Sequence, residues 1–162
     1  MKAIYSVLIV DDEQDMRFAL GRLLMARGFE VVTASGGAKA LQLLETGAPL
    51  DLLVLDVRMP GMSGLVLLNR LRHGPYPRIP VLILSAKATP EDVCNGYAQG
   101  ANLYLTKPFK PPTFIQAVWY LVGDLAPREK EVLELDLLAA EEVHLLEPQA
   151  VRGAKDESWS QT

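Results

Sequence analysis

Five side chains of this chain could do chemistry together. Asp11 and Asp12 are adjacent and close an apolar run from Tyr5 to Val10. Asp56 closes a second run, Leu52 to Leu55, Ser85 ends a third that begins at Pro80, and Lys107 follows a fourth from Ala101 to Leu105. Carboxylates gathered at neighbouring positions raise one another's pKa and are costly unless a cation neutralises them. Magnesium suits such a set, because it is hard, oxygen-ligated and octahedral, and it accepts a substrate phosphate among its ligands. A hydroxyl and a cation complete the set. Taken singly, each residue has an ordinary reading: a turn or capping aspartate, a capping serine, a solvated lysine. The recurrence of all five at equivalent points of a repeating pattern argues for a site.

The elements that must position them alternate between strand and helix. After Asp11-Asp12, Glu13 to Arg27 shows helical spacing of apolar residues and stops at Gly28, as a helix terminated by a left-handed glycine does. Phe29 to Ala34 is a short β-branched strand, and Ser35 is expected to cap a helix that ends at Gly47. The four apolar residues before Asp56 have the look of a central parallel strand covered on both faces. A turn built from Pro60, Gly61, Ser63 and Gly64 leads into a helix carrying Leu65, Leu67, Leu68 and Leu71. Thr89 as N-cap, Pro90 at the first position and acidic Glu91-Asp92 open the next helix. Pro111-Pro112 opens a fifth, through Phe114, Ile115, Val118 and Leu121.

Five βα repeats call for a three-layer α/β/α fold: a parallel sheet, right-handed crossovers and helices on both faces. The flavodoxin-like strand order 2-1-3-4-5 and Rossmann-type variants both fit, and in either the ligand site lies beyond the carboxyl ends of the strands. All five candidate residues fall there. No glycine-rich phosphate loop follows the first strand, where Asp11-Asp12-Glu13 stands instead, and this argues against nucleotide binding.

Length and composition bound the rest. A chain of 162 residues, 49% of them apolar, is expected to form one domain with an appendage and a substantial core. The one cysteine, Cys94, forms no internal disulfide, lies without Cys or His companions in a helical pattern, and reads as a spectator in a reducing compartment. The amino terminus lacks a signal-peptide pattern, and no stretch approaches the roughly 18 apolar residues of a membrane span. We therefore expect a cytoplasmic protein. Residues 1–123 carry twelve lysines and arginines against ten carboxylates, and residues 124–162 carry four against ten, which together make the net charge of −4. An acidic appendage does not suit nucleic acid, whose phosphates need clustered cations.

Four motifs then carry a family resemblance. They are Val7-Leu8-Ile9-Val10-Asp11-Asp12-Glu13; Asp56 with Met59-Pro60-Gly61-Met62-Ser63-Gly64; Ser85-Ala86; and Gly100-Ala101 leading to Lys107-Pro108-Phe109. Over residues 5 to about 123 the chain resembles the CheY-like receiver domain of two-component response regulators. The resemblance implies the strand order 2-1-3-4-5 and a phosphorelay switch fed by a histidine kinase or a histidine phosphotransfer protein. It makes Asp56 the phosphoacceptor, with Asp11, Asp12, Asp56 and the backbone carbonyl of Arg58 as magnesium ligands. Lys107 would pair with a phosphoryl oxygen as a point charge. Ser85 and Tyr104 would be the switch pair, Tyr104 turning inward as the hydroxyl moves toward the phosphoryl group. A reading without the family would make Tyr104 an edge residue of the fifth strand. The Lys107-Pro108 bond is cis in the family, and X-Pro bonds tolerate cis at little cost.

Two positions depart from the commonest family pattern. Arg58, two after the acceptor, and Lys87, two after Ser85, are long and cationic, and are expected either to shield the acyl phosphate from water or simply to point into solvent. Asn102-Leu103 stands where receivers of winged-helix transcription factors show acidic residues, which argues against their mode of dimerisation.

The chain thus divides into a receiver (1–123), a linker with an acidic amphipathic helix (124–148) and a tail (149–162) expected to be disordered. Pro127 to Leu135 resembles the opening of a LuxR-type helix-turn-helix domain, but no basic recognition helix follows. We expect one helix over 127–147, with Leu135, Leu138, Ala139, Leu145 and Leu146 on one side and Leu133, Leu137 and Ala140 widening it. It either packs on its own receiver or mates with a partner helix or a second copy, an option its apolar surface motivates. His73 and His144 are expected on helices away from the acidic edge, Trp119 in the core or on the fifth helix, and Trp159 in the tail. Two other classes fit the sequence less well. A DNA-binding regulator reduced to its receiver would need a basic recognition helix. A haloacid dehalogenase-type hydrolase would place an Asp-x-Asp pair after the first strand, whereas here the pair is adjacent and the lone acid follows the third.

Overall fold

Successive side chains of a strand point to opposite faces, and the central strands of this chain are apolar on both. Leu53 and Leu55 join Leu8, Val10, Ile83 and Tyr104 in one core, while Leu52 and Val54 join Val7, Ile9, Leu82, Leu84 and Leu105 in the other. Two cores on either side of one sheet are what a strand buried on both faces requires. The structure, a computed structural model, describes residues 4–145.

The elements run β1 (Ser6–Val10), α1 (Gln14–Met25), β2 (Glu30–Ala34), α2 (Gly37–Glu45), β3 (Leu52–Asp56), α3 (Gly64–Arg72), β4 (Val81–Ser85), α4 (Pro90–Ala98), β5 (Leu103–Thr106), α5 (Pro111–Val122), α6 (Pro127–Ala139) and β6 (Val143–His144). The sheet order is β2-β1-β3-β4-β5-β6. The first five strands are parallel and β6 is antiparallel to β5. The flavodoxin-like order is therefore the one adopted, with a sixth strand added to it. Register levels the strand ends: Val10 lies opposite Leu55, Asp56 opposite Leu84, and Ser85 opposite Thr106.

Local chemistry explains the helix starts. The Ser63 hydroxyl caps α3 by accepting from the Val66 amide, and the Thr89 hydroxyl caps α4 by accepting from Asp92. Ser35 does not cap α2. That helix begins at Gly37 after an extended Gly36 without a side-chain cap, and a Cβ on Gly37 would come within 2.9 Å of the Met62 side chain. Close approach of Met62, in the loop after β3, leaves no room for a side chain at this first helical position.

The appendage departs most from expectation. The helix expected over 127–147 ends at Ala139, Ala140 turns into extended backbone, and residues 143–144 become a strand. The competing attraction is the ladder edge of β5, where the Thr106 amide donates to the Glu142 carbonyl at 2.8 Å. The inward side also differs, because Leu137 is buried while Leu135 and Leu138 are 60% and 55% exposed. Leu137 joins the core formed by Phe114, Ala117 and Val118 of α5, which turns the expected apolar side outward. His144 accordingly lies on a strand and not on a helix. Trp119 packs against Phe29 and Tyr5 with centroids at 4.8 and 6.2 Å, and Cys94 is half-buried. Leu146, Pro148, Trp159 and the expected tail over 149–162 lie outside the described residues.

Candidate functional site

The site is built at the carboxyl ends of β1, β3, β4 and β5. Asp11 and Asp56 are buried, at 1% and 6% exposure, while Asp12 is exposed. The three offer carboxylate oxygens within 4.8 Å of one another. Asp11 is held on several sides: its Oδ1 accepts from the Glu13 amide at 2.9 Å and its carbonyl accepts from Arg17 Nη1 at 2.7 Å. Its Oδ2 accepts from Lys107 Nζ at 2.8 Å. The same ammonium group lies 3.7 Å from Asp56 Oδ2. One lysine thus bridges two carboxylates from the end of β5, which lies two places from β3 and three from β1 in the sheet.

These contacts set the electrostatics. Burial pushes the Asp56 carboxyl up to about 6, with Asp11 and Asp12 adding to the rise and Lys107 and the Arg58 backbone amide opposing it. Burial alone would push Lys107 down, but the hydrogen-bonded Asp11 carboxylate, with Asp56 and Glu13, lifts it above the usual lysine value. Three carboxylates, two of them buried, that share one lysine are a receptive setting for a further cation, and their all-oxygen donor set fits a hard divalent ion.

Ser85 is fully buried, and its Oγ accepts from the Lys87 amide at 3.1 Å. Tyr104, 1% exposed, lies on β5 with its ring inward and its hydroxyl donating to the Lys87 carbonyl at 2.6 Å. Burial pushes the Tyr104 phenol up, a rise that a hydrogen bond with Ser85 partly offsets. Tyr104 is not an edge residue, because β6 covers the strand that carries it. The Lys107-Pro108 bond is cis. Arg58 and Lys87 are both exposed, and each reaches the site through its backbone, Arg58 at Asp56 and Lys87 at Ser85 and Tyr104.

Sequence reasoning missed two supports. A Cβ on Gly64 would collide with the Asp56 carbonyl oxygen, so a glycine there lets α3 start against the end of β3. A Cβ on Gly96 would come within 2.9 Å of the Tyr104 ring. Gly64 stands within the quoted motif and had a signal in the sequence. Gly96 had none, since nothing local tells that an aromatic ring of β5 fills its space.

A doubly covered parallel sheet with three acids, a buried hydroxyl and a lysine at adjacent strand ends defines a class of phosphate-handling α/β domains with no nucleotide loop. Residues 7–119 match the family described as response regulator receiver domain, and the chain belongs to that family. It is 40% identical over 103 residues to the DNA-binding transcriptional regulator NtrC of Escherichia coli, covering 64% of this chain and 22% of that protein. It is 41% identical over 105 residues to the alkaline phosphatase synthesis transcriptional regulatory protein PhoP of Bacillus subtilis, covering 65% of this chain and 43% of that protein. The chain therefore spans less than half the length of these relatives. Among solved structures it resembles the chemotaxis protein CheY4 of Vibrio cholerae, with a TM-score of 0.69 and 34% identity over 74% of this chain and 99% of that one. Residues 7–119 are thus a receiver domain of the two-component response regulator family.

Proposed function

We propose that Asp56 accepts a phosphoryl group from a phosphohistidine on a sensor kinase or a histidine phosphotransfer protein. A carboxylate oxygen of Asp56 forms the new bond to phosphorus as the P–N bond breaks, and the leaving imidazole keeps the electron pair and takes up a proton. The observation that carries this reading is the convergence of Lys107 on Asp11 and Asp56 at 2.8 and 3.7 Å. It sets a fixed cation beside the attacking oxygen, where transfer would add negative charge. Lys107 would exchange a carboxylate partner for a phosphoryl oxygen, and the Ser85 hydroxyl would donate to another. Tyr104, tied to the same loop through Lys87, would report that movement as the switch residue.

Asp11, Asp12, Asp56 and the Arg58 backbone carbonyl would hold magnesium. Bound there, the metal would offset charge on the phosphoryl group. The chain would catalyse only its own phosphorylation and slow dephosphorylation, with Arg58 and Lys87 flanking the approach of water. Its output would be contacts with a downstream protein, in the cytoplasm. Among the described residues no helix is long and apolar enough to cross a membrane.

Acetyl phosphate with magnesium, followed by intact mass, tests the assignment. One added phosphate is expected on the unaltered chain and none on Asp56→Asn. Equal addition to both would overturn it. The second reading, a DNA-binding regulator represented here by its receiver, is favoured by the name of the NtrC relative. A gel shift on duplex DNA at low salt separates the two, since the primary reading expects no shift.

A further inference from the structure

β6 is fastened to β5 by contacts that reach the site along two routes. Along the first, the Thr106 amide donates to the Glu142 carbonyl at 2.8 Å, and Thr106 Oγ1 hydrogen-bonds His144 Nε2. The next residue is Lys107, which holds Asp11 and Asp56. Along the second, Tyr104 pairs with His144 in register, the rings meeting edge-on with centroids 6.2 Å apart. The Tyr104 hydroxyl bonds the Lys87 carbonyl, and the Lys87 amide bonds Ser85 Oγ. Lys87 therefore ties the aromatic residue under the strand to the hydroxyl in the site.

Two further contacts pin the segment. The Tyr97 hydroxyl donates to the His144 carbonyl at 2.7 Å. Glu142 Oε1 accepts from the Lys110 amide, in the chain just after Lys107, at 3.1 Å. A strand of two residues adds little sheet on its own. Side-chain contacts with Tyr97, Tyr104 and Thr106 specify where this one lies. With it seated, the outward ladder of β5 is covered and does not stand as an open edge.

We propose that residues 140–144 form an intramolecular strap whose seating on β5 is coupled to a phosphoryl group on Asp56. The seated strap orders Thr106 before Lys107 and Tyr104 above Lys87, so less ordering remains when the site closes on the phosphoryl group. By reciprocity, a phosphoryl group on Asp56 holds the strap down to the same degree. The inference rests on the reading of Asp56 as the phosphoacceptor and adds regulation of that site by the chain's own carboxyl-terminal segment.

Hydrogen exchange of the Thr106 amide in the full chain with magnesium, measured with and without acetyl phosphate, tests the coupling, with intact mass read on the same samples. We expect phosphorylation to slow Thr106 exchange about five-fold or more, the lower end of ordinary coupling between sites. His144→Ala removes both ring contacts and should abolish that slowing and shorten the acyl phosphate lifetime. Tyr97→Phe, which loses one hydroxyl and keeps the ring, should reduce both effects and serves if His144→Ala fails to fold. Phosphate gained with Thr106 exchange unchanged overturns the strap and leaves the Asp56 assignment standing. Absence of any phosphate gain overturns both. Unchanged acyl phosphate lifetimes in the two variants also overturn the strap.

Discussion

The strand-end site and the α6–β6 extension are stabilised by opposite means. The site consists of polar groups set into the rim of a sheet whose central residues are fully buried on both faces. Its backbone geometry follows from register, which sets the residues that end or follow β1, β3, β4 and β5 side by side while their side chains can still exchange partners. The extension is a largely exposed layer, with Leu137 as its one buried residue among those described. Hydrogen bonds such as Thr106 to Glu142 and Tyr97 to His144 supply the rest. Regions with few buried apolar contacts open at lower free energy than the global transition. One region is suited to hold reacting atoms, the other to respond.

Four measurements would break or sharpen that contrast. The largest expected effect is Leu53→Ala at the centre of the sheet, which should cost about 2–5 kcal/mol in chemical denaturation and loosen every strand end together. A loss confined to one side of the sheet would show that the site is less rigid than its register suggests.

Next is pH. Asp56 titrates near 6 in the folded chain against an ordinary 3.8. Between those values the folded state binds more protons than the unfolded one, so stability falls as pH rises from about 4 to about 6. In chelated buffer the fall should approach about 3 kcal/mol and should be absent from Asp56→Asn. An identical pH profile in the variant would place the cost elsewhere.

Leu137→Ala should cost less than Leu53→Ala, about 2 kcal/mol, and should appear first as faster hydrogen exchange in α6 and β6. Equal global destabilisation by the two substitutions would mean that the extension is part of the core. The smallest effect concerns the exposed cations. Arg58→Ala combined with Lys87→Ala should speed loss of phosphate roughly five-fold, the equivalent of about 1 kcal/mol off the barrier. An unchanged rate would assign both side chains to solvent.

Much of the architecture was legible in the chain itself, because burial on both faces demands continuous apolar runs and helix ends demand particular caps. Ser63, Thr89 and Pro90 act where their types place them. Ser35 does not, because α2 begins two residues further on, at Gly37 after an extended Gly36. The five strand-end residues could be singled out because each follows an apolar run, although spacing alone left two strand orders open. Gly96 and His144 carried no local signal, since each takes its role from Tyr104, which is distant from His144 in sequence.

By itself the sequence determined the five strands, the two-sided core and the residues at the strand ends, since these depend on patterns within a few residues of each position. Only the tertiary structure decided that Lys107 lies between Asp11 and Asp56, that Leu137 and not Leu135 faces inward, and that residues 143–144 leave the helix for the β5 edge. Helical propensity between 127 and 147 is a weak preference summed over neighbours. It was outweighed by a sheet edge with ladder groups to satisfy and by Tyr97, Tyr104 and Thr106 positioned to hold His144.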